Sequence, residues 1–259
     1  MAKSHSDKII GITALTFGHI PWAIFAILLT KKYPSAEVLP YVFCSVMLHI
    51  GYQLFLSFSY RVGNYMQVYP IARGSSPIVI AIISIFFLGI NFSNLQLISI
   101  LFICLGILSV GLLKKSGLYN FSTLFFSIGT GFFIASYSLM DGFGARIANA
   151  PITYFAWVAV LNAIIYGIII SFVRPNILSL CIEKGKKMFF LGGASSFLAY
   201  TLVVWAFTKS SIALVSALRE TSIIFALLIG FIFLKEKLNL TKVFSVILIF
   251  LGIVILRLS

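Results

Sequence analysis

The stretch that decides the fold is "YPIARGSSPIVIAIISIFFLG", residues 69–89, in which an arginine precedes a long apolar run. The run from Ile78 to Leu88 contains a single polar residue, Ser84. A helix that crosses a bilayer needs about 20 predominantly apolar residues. A charge at the centre of such a helix costs about 2.5–3.5 kcal/mol on insertion scales, so it usually faces a cavity or a partner. The stretch therefore predicts a membrane-spanning helix in which Arg73 meets a specific partner.

The composition of the whole chain agrees with this prediction. Of the 259 residues, 61% are hydrophobic and 10% are charged, and the mean hydropathy is +1.10, whereas soluble domains have about 25% charged residues. Apolar residues lie on every side of the long runs, which favours helices over a β-barrel. We predict an all-α integral membrane protein with nine transmembrane helices. These are residues 9–30, 38–59, 66–89, 95–113, 121–141, 151–173, 188–208, 212–234 and 241–258.

The basic residues predict topology rather than a nucleic-acid partner. The formal net charge of +13 comes mostly from Lys and Arg between the apolar runs, where positive residues hold loops on the cytoplasmic side. Nine helices place the two termini on opposite sides, and most basic residues then fall on the amino-terminal side. We therefore predict a protein of the inner cell membrane, with the amino terminus in the cytoplasm and the carboxyl terminus outside.

The sequence contains an internal repeat with an offset of 146 residues. This shift aligns "YPIARGSSPIVIAIISIFFLG" with "VSALRETSIIFALLIGFIFLK" without a gap. Biased composition would match Ile and Leu, but it does not explain Arg, Ser and Gly matching in one register. The matched pairs include Arg73 with Arg219, Ser76 with Ser222, Ser99 with Ser245 and Gly106 with Gly252.

The repeat predicts two domains, residues 1–115 with four helices and residues 119–259 with five. Five helices per repeat would invert the second repeat relative to the first, an arrangement that lets a transporter rock around a central site. We expect the helix missing from the first repeat to precede Lys3.

Three segments of the chain resemble the drug/metabolite transporter superfamily, in its EamA-like branch. They are "YRVGNYMQVYPIARGSSP" (60–77), "ASYSLMDGFGARIA" (135–148) and "SALRETSIIFALLIGFIFLKEKL" (216–238). The resemblance extends over the chain from Asp7 onward and implies a ten-helix, two-repeat transporter with a central cavity. It is similar to a subgroup associated with phosphonate utilisation. Relatives open with a helix that carries a His-x-x-Trp-Asn-like stretch, which we expect ahead of "AKSHSDKII" (2–10).

Arg73 and Arg219 are the first candidate substrate-binding residues. One interpretation is that they reach the headgroups or pair with a helix terminus. The other is that two pseudo-symmetric guanidiniums flank a cavity and bind an anionic group, since Arg suits carboxylate and phosphate groups. Arg219 is followed by Glu220 and Arg73 by Gly74. We therefore predict that Glu220, itself a candidate substrate-binding residue, neutralises Arg219 and that Arg73 meets the substrate.

Two further titratable residues are candidates for proton coupling. Asp141 ends the predicted fifth span, where it either pairs with Arg146 or carries a proton. His49 is either a packing residue within its span or a group that titrates near neutral pH. Tyr69, Tyr137 and Tyr200 are candidate substrate-binding residues because each lies near a charge or small residues.

The function predicted from these features is secondary transport of a small organic anion or zwitterion, such as an amino acid or phosphonate, by alternating access. A non-transporting or degenerate protein of the same fold is the alternative. An intramembrane enzyme is disfavoured, because the sequence has neither HExxH nor GxSxG. We predict no metal site and no cofactor. The predicted partners are a small-molecule substrate, the lipid bilayer and a second copy of the chain in a homodimer, with no nucleic acid.

Overall fold

The computed structural model describes residues 5–63, 65–112, 120–232 and 240–258, which form helices joined by short turns. In chain order the helices are α1 (His5–Gly18), α2 (Ile20–Thr30), α3 (Leu39–Val62), α4 (Tyr65–Phe86), α5 (Asn94–Leu112), α6 (Phe121–Ala148), α7 (Pro151–Val173), α8 (Ile177–Lys184), α9 (Gly193–Phe207), α10 (Ile212–Arg219), α11 (Ser222–Ile232) and α12 (Leu240–Arg257). A π-helical turn, Met188–Gly192, precedes α9.

Six helical stretches within the described residues are long and apolar enough to cross a membrane. They are Lys8–Thr30, Leu39–Val62, Gln67–Phe86, Phe121–Ala148, Pro151–Val173 and Met188–Phe207. Two shorter apolar helices, Asn94–Ser109 and Val243–Arg257, overlap the predicted spans 95–113 and 241–258. Many large apolar side chains are exposed, for example Phe172 at 85% and Phe86 at 78%, as expected where lipid replaces water. The predicted all-α membrane class is confirmed.

The eighth predicted span, 212–234, is divided by a break. Within its described part, α10 ends at Arg219 and α11 begins at Ser222. The repeat-related helix α4 is continuous, although it contains Pro70 and Pro77. The break therefore distinguishes the second copy of the arginine-bearing segment from the first.

The chain forms two compact units, and each takes residues from both predicted repeats. Unit 1 comprises Met1–Ser57 and Ser136–Lys209, and unit 2 comprises Phe58–Ala135 and Ser210–Ser259. The core of unit 1 contains aliphatic residues together with Tyr154, Phe155, Tyr166 and Phe197.

Within unit 2, α5 and α12 make reciprocal contacts through glycines. A Cβ atom added to Gly106 would lie 2.9 Å from the carbonyl oxygen of Ser245, and one added to Gly252 would lie 2.9 Å from that of Ser99. Gly106, in the second half of α5, meets the first half of α12, and Gly252, in the second half of α12, meets the first half of α5. The two helices are therefore antiparallel. Since α5 and α12 correspond by the 146-residue offset, an inverted repeat requires this relationship.

Candidate functional site

Unit 2 contains a buried ion-pair cluster formed by Arg73, Arg219 and Glu220, called here the arginine–glutamate cluster. Glu220 lies in the break between α10 and α11, and its side chain is 0% exposed. Its Oε2 lies 2.7 Å from Nε of Arg73, and its Oε1 lies 3.2 Å from Nε of Arg219. One carboxylate therefore pairs with both arginines.

The predicted pairing of Glu220 with Arg219 is present, but Glu220 also pairs with Arg73, which the sequence prediction had left for the substrate. The contact with Arg73 is the shorter of the two. The repeat offset explains why one acid is shared, because the first-repeat equivalent of Glu220 is Gly74. A Cβ atom at Gly74 would lie 2.9 Å from Cγ of Leu108, so packing of α4 on α5 leaves no room for a side chain there.

The formal charges of the arginine–glutamate cluster sum to +1. The side chain of Arg73 is 20% exposed and that of Arg219 is 9% exposed. The guanidinium carbon of Arg73 also lies 5.6 Å from the ring centroid of Tyr69, within the range of a cation–π interaction. The structure thus brings together four of the predicted substrate-binding residues, Tyr69, Arg73, Arg219 and Glu220, and their role in binding stays a prediction.

Unit 1 contains a second buried acid, Asp141, surrounded by what we call the aspartate cluster: Ser45, His49, Tyr154 and Tyr200. The hydroxyls of Ser45 and Tyr154 donate to Oδ1, the latter over 3.3 Å. Tyr200 donates to Oδ2 over 2.7 Å, and Nε2 of His49 lies 3.6 Å from the same oxygen. Four side chains from α3, α7 and α9 therefore meet one carboxylate on α6.

Tyr137 packs against the imidazole of His49. Its ring packs edge-on against His49, with centroids 4.0 Å apart, and lies 5.9 Å from the ring of Tyr200. The structure thus places Asp141, His49, Tyr137 and Tyr200 together, and their roles in substrate binding and proton coupling stay predictions.

The expectation that Asp141 ends its helix is wrong. Helix α6 continues to Ala148, and Asp141 is 0% exposed within it. Small residues let the helix continue against α7, since a Cβ atom at Gly144 would lie 2.4 Å from the ring of Tyr154. Arg146, the alternative partner considered for Asp141, donates from Nε to the carbonyl oxygen of Phe207 over 2.9 Å.

The comparisons with known proteins agree with these features. Residues 121–258 match the EamA-like transporter family. The chain belongs to this family. Members of the family are membrane transporters, which fits a multi-pass membrane protein. No curated protein matches the chain, and the resemblance to the phosphonate-utilisation subgroup stays a prediction.

This EamA-like protein also resembles solved structures in its fold. One, titled "Crystal structure of protein", superposes with a TM-score of 0.73 at 15% sequence identity. The match covers 99% of this chain and 92% of that chain. At this identity the likeness shows the fold alone.

Two partners of Asp141 in this EamA-like protein were not predicted from the sequence. Ser45 precedes His49 by four residues, so helical spacing places them on one face of α3, and that signal was available. Tyr154 is 1% exposed in an almost wholly apolar helix, and its sequence context does not distinguish it. Within the described residues, no group of three or more His, Cys, Asp or Glu side chains could hold a metal ion.

Proposed function

We propose that this protein is a secondary transporter of a small organic anion or zwitterion, such as an amino acid or a phosphonate, in the inner cell membrane. The observation that carries the proposal is the arginine–glutamate cluster itself, in which two arginines and one acid meet within apolar helices. Such charges are costly in a membrane, and in membrane proteins they usually mark a substrate or ion pathway.

The chemistry of the cluster favours an anionic group on the substrate. Each guanidinium has five N–H donors in a planar fork, and the described contacts of Arg73 and Arg219 with Glu220 use Nε of each. The cluster thus pairs two positively charged side chains with a single carboxylate. A carboxylate or phosphonate group suits the fork geometry, because it can accept two parallel hydrogen bonds.

The helix break at Glu220 supports a role in binding rather than in packing alone. In many secondary transporters the substrate site is formed by discontinuous helices, whose unwound backbone groups face the site. Here α10 ends at Arg219 and α11 begins at Ser222, so the acid of the cluster lies in such a break. Alternating access by the predicted repeats, residues 1–115 and 119–259, would then act around this site.

A thermal-shift screen of the full chain in detergent tests the proposal. The panel consists of amino acids, phosphonates, sugar phosphates and nucleosides, and a ligand raises the melting temperature of the state that it binds. We expect stabilisation by anionic or zwitterionic compounds, followed by uptake of the same compound into vesicles that contain the protein.

A matched pair of variants identifies the site. Arg73→Ala removes one charge from the cluster, whereas Arg61→Ala removes a charge from an exposed side chain at the end of α3. We expect Arg73→Ala to lose the stabilisation and Arg61→Ala to keep it. The same shift in all three proteins, or a shift by neutral nucleosides alone, would contradict the proposal.

A further inference from the structure

The feature that goes beyond the proposed function is the chemistry of the groups around Asp141 in unit 1. Its described partners are three hydroxyls and one imidazole. A hydroxyl donates and accepts hydrogen bonds, and so does a neutral imidazole through its two nitrogens. The guanidiniums around Glu220 differ, because they only donate and keep their charge.

This difference decides which protonation states each site can satisfy. A protonated carboxyl group becomes a donor and needs an acceptor. Around Asp141 a hydroxyl can rotate, or the imidazole can change its tautomer, so both states of the carboxyl group find partners. Around Glu220 the donor-only guanidiniums match the ionised carboxylate alone. The hydroxyls and the imidazole of the aspartate cluster can therefore serve as hydrogen-bond partners for both protonation states of Asp141.

His49 supplies a second proton-carrying group beside Asp141. Its Nε2 lies 3.6 Å from Oδ2, which is beyond hydrogen-bond distance, so a proton transfer requires the two groups to approach by a few tenths of an ångström. Its Nδ1 is buried, and no hydrogen-bond partner for it is found among the described residues. Nε2 therefore faces the carboxylate, and Nδ1 is the nitrogen that remains to accept a proton.

We propose that Asp141 and His49 form a proton-binding site whose proton exchange is coupled to substrate movement, an inference that rests on the transport function proposed above. A proton arrives at Nδ1 of the neutral imidazole and forms the imidazolium. The proton on Nε2 then passes to Oδ2 of Asp141, which leaves a neutral carboxylic acid and a neutral imidazole of the other tautomer. The reverse sequence releases the proton.

The other titratable and charged groups of this region surround the pair. Tyr137 lies beside the imidazole, and Tyr52 packs against Tyr137 with ring centroids 5.6 Å apart. Tyr154 and Tyr200 bond to the carboxylate. His19, at the break between α1 and α2, packs edge-on against Phe155, which in turn packs against Tyr200. Arg146 lies on the same helix as Asp141 and donates to a backbone carbonyl oxygen. A readout that is specific for Asp141 is therefore needed.

Infrared spectroscopy of the full chain in lipid nanodiscs, titrated with pH, provides that readout through the C=O stretch of protonated carboxyl groups. We expect a titrating band that Asp141→Asn removes and that Tyr200→Phe shifts in frequency, because Tyr200 is bonded to Oδ2. Glu37→Gln, at an exposed acid, is the control and should leave this band in place. Identical titrating bands in the parent, Asp141→Asn and Tyr200→Phe would overturn the proposal. If Asp141→Asn does not fold, the Tyr200→Phe comparison decides.

A vesicle experiment tests the coupling and separates it from the transport function. Vesicles that contain the protein and an internal pH-sensitive dye receive each compound of the screening panel. We expect a change in internal pH that accompanies uptake in the parent and is lost in Asp141→Asn. Uptake without a pH change in the parent overturns the coupling and leaves the transport function standing. Absence of uptake for every compound counts against the transport function, while the infrared titration still decides whether Asp141 binds a proton.

Discussion

Gly106 of α5 and Gly252 of α12 occupy equivalent positions in one antiparallel helix pair. A Cβ atom at Gly106 would lie 2.7 Å from Cγ1 of Ile249, and one at Gly252 would lie 2.6 Å from Cγ1 of Ile103. Ile103 and Ile249 are themselves related by the 146-residue offset. The helix pair is thus held by two copies of one contact, in which a glycine of one helix receives an isoleucine of the other.

Substitution of either glycine should destabilise unit 2. The added methyl group of Gly106→Ala or Gly252→Ala would overlap backbone atoms of the partner helix, and overpacking typically costs about 1–3 kcal/mol. We expect a lower melting temperature for both variants, measured by circular dichroism in detergent. Gly11→Ala is the control, since its Cβ atom would meet nothing within 4 Å. Equal melting temperatures for Gly106→Ala and Gly11→Ala would show that the helices are not closely packed at this point.

The sequence could predict relationships that follow from spacing, and the glycine pair is one of them. The register that aligns Gly106 with Gly252 requires no knowledge of the fold. The pairing of Glu220 with Arg73 could not be predicted in this way, because it depends on the distance between α4 and the α10–α11 break. Local context instead favoured the neighbour Arg219.

The same limit applies to the aspartate cluster. Asp141 and His49 were identified because charged and titratable groups are rare in apolar spans. The assembly of the whole aspartate cluster depends on four helices, α3, α6, α7 and α9. Tyr154 comes from α7, whose sequence has no distinguishing polar pattern. The end of α6 was misplaced for a related reason, because packing of Gly144 against Tyr154 stabilises a continuation that hydropathy alone does not indicate.

Removal of the shared acid should destabilise the protein strongly. Glu220→Gln leaves two guanidiniums without their carboxylate, and breaking a buried ion pair by removing one partner costs about 3–5 kcal/mol. We expect a large fall in the melting temperature, measured by thermal unfolding in detergent. Glu183→Gln changes an exposed acid on α8 and should stay within about 0.5 kcal/mol of the parent. Similar stability of the two variants would mean that Glu220 is not buried between the arginines.

The predicted topology can be measured with reporter fusions. Nine membrane crossings with a cytoplasmic amino terminus place the carboxyl terminus outside. We expect alkaline phosphatase fused after Ser259 to be active, because the enzyme functions only outside the cytoplasm, and a fluorescent reporter at the same position to be dark. An inactive phosphatase together with a bright cytoplasmic reporter would show an even number of crossings or the opposite orientation.

The net charge of the arginine–glutamate cluster should control its affinity for anions. Arg73→Ala and Arg219→Ala each reduce the formal charge from +1 to zero, so we expect both to lose stabilisation by the anionic compound that stabilises the parent. This equality departs from the sequence prediction that Arg73 alone meets the substrate. It follows because both arginines contact Glu220.

The double variant Arg219→Ala/Glu220→Gln tests whether anion binding depends on the net charge of the cluster or on contacts from both guanidiniums. It restores a net charge of +1 through Arg73, without a carboxylate to compete for the guanidinium. We expect it to regain part of the thermal shift that Arg219→Ala loses, measured with the same anionic compound over a range of salt concentrations. The contrary outcome is a double variant that still gives a cooperative melting transition but shows no more thermal shift with the anion than Arg219→Ala. This outcome would show that both guanidiniums must contact the anion directly.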